Sequence, residues 1–174
     1  MFFVHAAHVN DFEVVRTCLH VWKVHPDAIS GGYTALVHAC TQGHTEMAKY
    51  LIEQNAKVDG LTAKGLNPLH HVIAAEKNRH VRHMEVMRML MKENSDIQLV
   101  CKGYAPVHRA ALLNSEYEAM EYLKLLMSRH ADLTQRTDKD GFTPLHIACR
   151  RHHKHVIGVL LGHDSNQSGT YDRG

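Results

Sequence analysis

Cysteine, proline and aromatic residues are all scarce in this 174-residue chain, with four cysteines, four prolines and an aromatic content of 6%. The cysteines, Cys18, Cys40, Cys101 and Cys149, are far apart and form no Cys-x-x-Cys pair. Neither a disulfide framework nor a zinc ribbon is indicated, and a reducing compartment is the default. No apolar run approaches the roughly 20 residues that span a bilayer. The opening Met1-Phe2-Phe3-Val4-His5 lacks a basic region ahead of an apolar core, so no secretory signal peptide is expected. A one-sided charge is missing too: 20 Lys and Arg oppose 18 Asp and Glu, a net of +2. A protein that binds nucleic acid by neutralising phosphates carries a stronger basic excess. There is no Gly-x-Ser-x-Gly elbow, no phosphate-binding glycine loop, no Gly-x-Gly-x-x-Gly and no His-Glu-x-x-His. The enzyme classes those motifs mark are not expected, and neither a cofactor nor a metal site is assigned. What remains is an ordinary globular balance, 44% apolar and 22% charged, long enough for one domain. A cytoplasmic or nuclear location is expected.

Histidine is the exception to this scarcity. There are 17, and charging every one would take the net from +2 to +19. That invites a metal-binding or pH-responsive reading.

The chain also repeats itself, and repeats decide fold before anything else does. Gly141-Phe142-Thr143-Pro144-Leu145-His146-Ile147-Ala148 is the clearest copy. Gly103-Tyr104-Ala105-Pro106-Val107-His108-Arg109-Ala110 and Gly65-Leu66-Asn67-Pro68-Leu69-His70-His71-Val72 are two more. Gly32-Tyr33-Thr34-Ala35-Leu36-Val37-His38-Ala39 is a fourth. Their glycines are separated by 33, 38 and 38 residues. An apolar stretch follows each turn, as in Gly43-His44-Thr45-Glu46-Met47-Ala48-Lys49-Tyr50-Leu51-Ile52. On these residues the chain resembles the ankyrin-repeat family. The resemblance implies an all-α solenoid of helix-turn-helix units with projecting turns, and an architecture rather than a biological role.

The physics of the pattern agrees. Glycine suits a tight turn that needs positive φ. Thr143 caps the next helix and Pro144 takes its first position, where a missing N–H costs nothing. Thr34 and Asn67 cap likewise; Ala105 cannot, so the third repeat should be entered less firmly. No single helix pair can bury its own apolar faces, so stability belongs to the stack. The reading is a half-repeat at 1–29, with Asn10 as a left-handed helix end in the place of Gly43. Repeats follow at about 30–62, 63–100, 101–138 and 139–164, so the repeat domain covers 1–164 and a disordered tail 165–174. Extra residues fall between the two helices of repeats two and three, around 75–82 and 113–118. Such insertions lengthen helices or a tolerant loop, or mark a binding edge.

The resemblance implies that His70, His108 and His146 are structural, bonding within and between turns. Cys40 and Cys149 share a small-residue register with Ala7 and Ala111 and should be packed, whereas Cys101, in a turn, should be the more reactive thiol. His152, His153 and His155 cluster near the second helix of the last repeat, where the simplest reading is a solvated basic tip.

The resemblance also implies that turn tips and exposed first-helix positions form a concave binding face. Tyr33, Leu66, Tyr104 and Phe142 follow the turn glycines in one register; they either form an apolar column for a partner or pack turn against turn. The exposed first-helix positions include Leu112 and Leu113 in repeat three, then Arg150 and Arg151 in repeat four. The basic end suits an acidic segment of a protein partner. The expected function is therefore non-catalytic protein–protein binding by a monomer, without nucleic acid or membrane. It could be that of an inhibitor resembling the IκB proteins or a small viral-type ankyrin protein. The alternatives are a scaffold or substrate-recruiting piece of a larger adaptor or effector and, more remotely, a histidine-rich metal- or pH-responsive protein.

Overall fold

The turn motifs and the apolar stretches behind them fold into helix pairs. The computed structural model describes residues 2–75 and 80–165, with side chains throughout except at 80, 81 and 163–165. Among the described residues there are ten helices and no strand. They are α1 (Phe2–Val9), α2 (Phe12–His20), α3 (Ala35–Gln42), α4 (Thr45–Glu53), α5 (Pro68–Ala74), α6 (His80–Lys92), α7 (Pro106–Ala111), α8 (Glu116–Met127), α9 (Pro144–Arg150) and α10 (Lys154–Ser165). Part of the expected insertion after α5 and most of the expected tail lie outside the described residues. Ser165, assigned to that tail, closes α10.

The chain divides into two compact units. The N-terminal unit runs from Met1 to Lys102 and the C-terminal unit from Gly103 to Gly174. In the N-terminal unit the first helices stack on one another, α1 on α3 and α3 on α5, while the second helices pair as α4 on α6. In the C-terminal unit α7 packs on α9 and α8 on α10. Small residues allow the first helices to approach closely: Ala7, Ala39 and Cys40 in one unit, and Ala110, Ala111 and Ala148 in the other, are fully buried. Between first and second helices the N-terminal core is built from Leu36, Met47, Leu51, Leu69, Ile73, Met87 and Leu90. Leu123 and Leu126 do the same work in the C-terminal unit. Each burial removes apolar surface that an isolated pair would leave wet.

Helix entry follows the capping chemistry. The Thr34 hydroxyl accepts from the Val37 N–H at 3.2 Å, the Asn67 side chain from the His70 N–H at 2.9 Å, and the Thr143 hydroxyl from the His146 N–H at 3.4 Å. Ala105 offers no side-chain acceptor, and there the ring of His108 takes over: its Nδ1 accepts the Ala105 N–H at 3.1 Å. Asn10 ends α1 at φ 64°, the left-handed conformation that its match with Gly43 (φ 75°) requires. The turn glycine Gly103 sits at φ 80°, and a Cβ added to it would lie 3.4 Å from the Asp138 Cβ. Turns are tied to their neighbours through the backbone. The Gly32 carbonyl accepts from the Ala63 N–H at 3.0 Å in the N-terminal unit, and the Gly103 carbonyl from the Asp138 N–H at 3.2 Å in the C-terminal unit.

Two cysteine expectations are reversed. Cys149 is exposed and Cys101 is buried. Cys149 has the register of the buried Cys40, but among the described residues no further helix pair covers α9. Cys101 lies in a turn whose outward appearance in sequence is undone by packing, leaving it 3% exposed. No described helix is long and apolar enough to cross a membrane.

Candidate functional site

The site is built from the two turns of the C-terminal unit and the first helices that follow them. Tyr104, Leu112, Thr137, Asp140, Phe142, Ile147, Arg150 and Arg151 line one cleft of about 400 Å³. Five of the eight partner-facing residues expected from sequence therefore share it: Tyr104, Leu112, Phe142, Arg150 and Arg151. Leu113 is half-buried and is not among the lining residues. Tyr33 and Leu66 belong to the N-terminal unit, where both are half-buried. Tyr33 accepts a hydrogen bond from Lys64 Nζ at 2.6 Å, and that ammonium stands 5.0 Å from its ring centre.

Each aromatic in the cleft carries a cation. The Arg109 guanidinium lies 5.2 Å from the centre of the Tyr104 ring, and that of Arg150 lies 5.1 Å from Phe142. At that range a guanidinium and a ring face attract, and the pair covers apolar surface while leaving hydrogen-bond donors free at its edge. Arg151 is held by the Asn114 side chain at 2.8 Å. The cleft is amphipathic: two rings, two aliphatic side chains and two arginines line it, and Asp140 is the one carboxylate among the lining residues. Asp140 and the role of Arg109 were not visible as site features in the sequence. Asp140 occupies the register of Lys64 and Lys102, so the turn tips change sign along the chain.

The turn histidines hold the rings in place. His108 is fully buried; its Nε2 donates to the Gln135 carbonyl at 2.8 Å, while its Nδ1 accepts from Ala105. One imidazole thus ties together two successive turns, and its ring meets Tyr104 edge-on, 6.5 Å between centroids. His70, also fully buried, donates from Nδ1 to the Asn67 side chain at 2.6 Å. Asn67 is oriented for this because its amide NH2 donates to Asp59 at 3.0 Å. His146 makes the same local contacts with Thr143, at 2.7 Å to the hydroxyl, and stacks on Phe142 at 5.9 Å, but it is exposed. Val37 takes this histidine's place in the first repeat and is buried.

Burial pushes the His108 imidazole below its ordinary pKa, and the Gln135 and Phe142 carbonyls offset this only in part. Protonation would also turn Nδ1 into a donor facing the Ala105 N–H. The unfolded chain therefore binds the proton more readily. The contribution of His108 to stability is complete above the unfolded value of about 6.5 and is lost as the pH falls through the lowered folded value. Thermal melts are expected to give a lower Tm at pH about 5.5 than at pH about 7.5, and the difference is expected to shrink in His108→Gln. An unchanged Tm would contradict the neutral buried imidazole.

The remaining histidines near the C-terminus do not converge. His152 sits in the turn at φ 57°, His153 is buried, and His155 pairs with Glu116 of α8 at 3.0 Å. That contact and the His155 N–H at 2.6 Å hold the Glu116 carboxyl below its usual range. Among the described residues no group of three His, Cys, Asp or Glu side chains is placed to hold a metal ion.

Comparison with known proteins agrees with this anatomy. Two ankyrin-repeat family models match, the one described as ankyrin repeats (3 copies) over residues 3–100 and the one described as ankyrin repeats (many copies) over residues 107–161. The mouse protein fem-1 homolog A-like is 30% identical over 103 residues, covering 59% of this chain and 15% of that protein. The probable 26S proteasome regulatory subunit p28 of Saccharomyces cerevisiae is 27% identical over 140 residues, 79% of this chain and 56% of the subunit. The chicken nuclear factor NF-kappa-B p105 subunit is 27% identical over 146 residues, 80% of this chain and 14% of that protein. The chain thus spans only part of the length of each of these relatives. With repeat turns, capped first helices and stacked pairs all in place, the chain belongs to the ankyrin-repeat family, whose fold is one of protein–protein interaction.

Proposed function

We propose that the protein is a non-catalytic recognition module that seats a protein segment in the cleft of its C-terminal unit. The observation that carries this reading is the pair of arginine-covered rings, Tyr104 with Arg109 and Phe142 with Arg150, lining or bordering one recess with Arg151. Aromatic rings and arginines are the side chains that dominate the energy of protein interfaces. Both rings are anchored by turn histidines before any partner arrives, which keeps the ordering cost of binding low. The favoured occupant is a short segment with an acidic side chain for Arg150 and Arg151 and an apolar one for the rings. Asp140 in the same lining disfavours a uniformly acidic stretch and selects for a mixed one. Two roles fit such a module: an inhibitor in the manner of IκB proteins, or an adaptor that recruits a substrate.

The experiment is affinity capture from native lysate with the wild type and with Arg150→Glu/Arg151→Glu as bait. A partner retained by the wild type and lost by the variant is expected. Its affinity should fall as salt is raised from about 0.1 M to 0.5 M, because exposed charges are screened over about 10 Å or less in that range. Equal capture by the two baits, or binding that salt does not change, would discard Arg150 and Arg151 as part of the site.

A further inference from the structure

The N-terminal unit carries a row of rings that partner recognition by the C-terminal cleft does not use. His5 and His8 stand one turn apart on the same face of α1, with ring centroids 6.1 Å apart. His8 meets His38 of α3 edge-on at 5.1 Å. His38 lies 5.1 Å from Tyr33, and Tyr33 lies 5.4 Å from His71 of α5. The Nδ1 atom of His8 is buried and has no hydrogen-bond partner among the described residues. Burial, then the charges of His8 and His5, hold His38 below the ordinary imidazole range.

Three of these rings sit where α1 is attached. α1 has eight residues, too few to be stable as a helix in water by itself. Its place depends on Phe3, Val4, Ala6 and Ala7, all buried, and on packing against α2 and α3.

We propose that α1 is an acid-released element: protonation of His5, His8 and His38 gathers three cations at the α1–α3 contact and frees α1 before the rest of the unit is lost. At the effective dielectric of partly buried protein, unit charges about 5–6 Å apart repel by several times thermal energy. Once α1 is free the same rings are solvated and separated. The released form therefore binds a proton at His38 more readily than the docked form does, and acid draws the equilibrium towards it. Each extra proton bound on release multiplies the opening constant by about ten per pH unit.

The other charged groups around this contact do not relieve it. On α2, Asp11 caps its own helix at the Val14 N–H, Glu13 pairs with Arg16, and His20 meets Tyr50. At the start of α4, His44 Nε2 lies 3.1 Å from the His8 carbonyl, a bond that imidazole and imidazolium can both donate. Beyond His38, Lys64 adds another cation at Tyr33, and His71 is engaged at 3.1 Å with Thr62.

The test is amide hydrogen exchange on the full chain, expressed as protection factors so that intrinsic exchange rates cancel. Between pH about 7.5 and 5.5, residues 3–9 are expected to lose several-fold, up to about tenfold, in protection. The buried face of α4 should lose less, and His8→Gln/His38→Gln should keep α1 protected at the lower pH. Change within about twofold in wild-type α1, or an equal loss in the double variant, would overturn the proposal. Should the double variant not fold, wild-type NMR decides: α1 amide shifts are expected to titrate together with the His38 ring, at a midpoint below the ordinary value of about 6.5. Amides that do not follow that ring would overturn the proposal equally. Acid effects arising at His108 are read separately, at α7 in the C-terminal unit.

Discussion

His108→Ala is expected to destabilise the C-terminal unit by about 3 kcal/mol. The magnitude combines two costs. Removing a fully buried ring leaves a cavity between the turn and α7. It also strands two backbone groups, the Ala105 N–H and the Gln135 carbonyl, that the ring had satisfied. An unpaired buried donor or acceptor costs about 1–3 kcal/mol, and the two lie on successive turns. His146→Ala supplies the control. That imidazole has the same motif and the same local bond to Thr143, but it is exposed, so the loss should stay under about 1 kcal/mol. Urea unfolding followed by far-UV circular dichroism measures both. Equal losses would show that the histidine acts only as a local cap, with no role between turns.

The second large effect is on binding. Tyr104→Ala/Phe142→Ala is expected to weaken a partner captured by the wild type about a hundredfold, close to 3 kcal/mol. Truncating the rings removes two of the residues that line the cleft and the surfaces on which Arg109 and Arg150 rest. The arginines then lose their fixed direction, so charge recognition fails along with apolar contact. Fold stability should fall by only about 1 kcal/mol per ring, since both are half-buried and neither belongs to the helix–helix core. Isothermal titration against the captured partner, with urea midpoints in parallel, separates the two effects. An affinity within threefold of wild type would reject the rings as anchors.

Much of the fold was legible because its signals are local. A glycine with positive φ, a capping residue, proline at the first helical position and an apolar stretch behind them recur within eight residues of one another. Even the weak first copy could be placed, since Thr34 caps whether histidine or valine stands three residues on. The stand-in of Asn10 for glycine was readable because a left-handed helix end has few candidates. Exposure was not readable in the same way. Cys40 and Cys149 have the same register and opposite burial. His108 and His146 share a motif, yet only one is enclosed. In both comparisons the deciding neighbour is another repeat, and a residue's own sequence window does not record whether one is packed upon it.

The candidate site divides along the same line. Tyr104, Phe142, Leu112, Arg150 and Arg151 were legible as residues that face outward from turns and first helices. That Arg109 lies over Tyr104 follows only from how the turn folds back on its own helix, and that Asp140 joins two arginines in the lining while Leu113 does not follows from how the two repeats meet. The row from His5 to His71 was hidden for a similar reason. Its members are scattered over 67 positions and are brought into contact by helices that stack in register.

By itself the scarcity of cysteine, proline and aromatic residues, with charge nearly balanced, left few chemistries open, and the repeated turn determined the architecture. Those are properties of composition and of windows a few residues long, which the chain carries wherever it folds. Tertiary structure alone decided which imidazoles are enclosed and which thiol is reachable, because burial is a relation between repeats, and which arginines cover a ring, because that depends on how each turn folds back on its own helix.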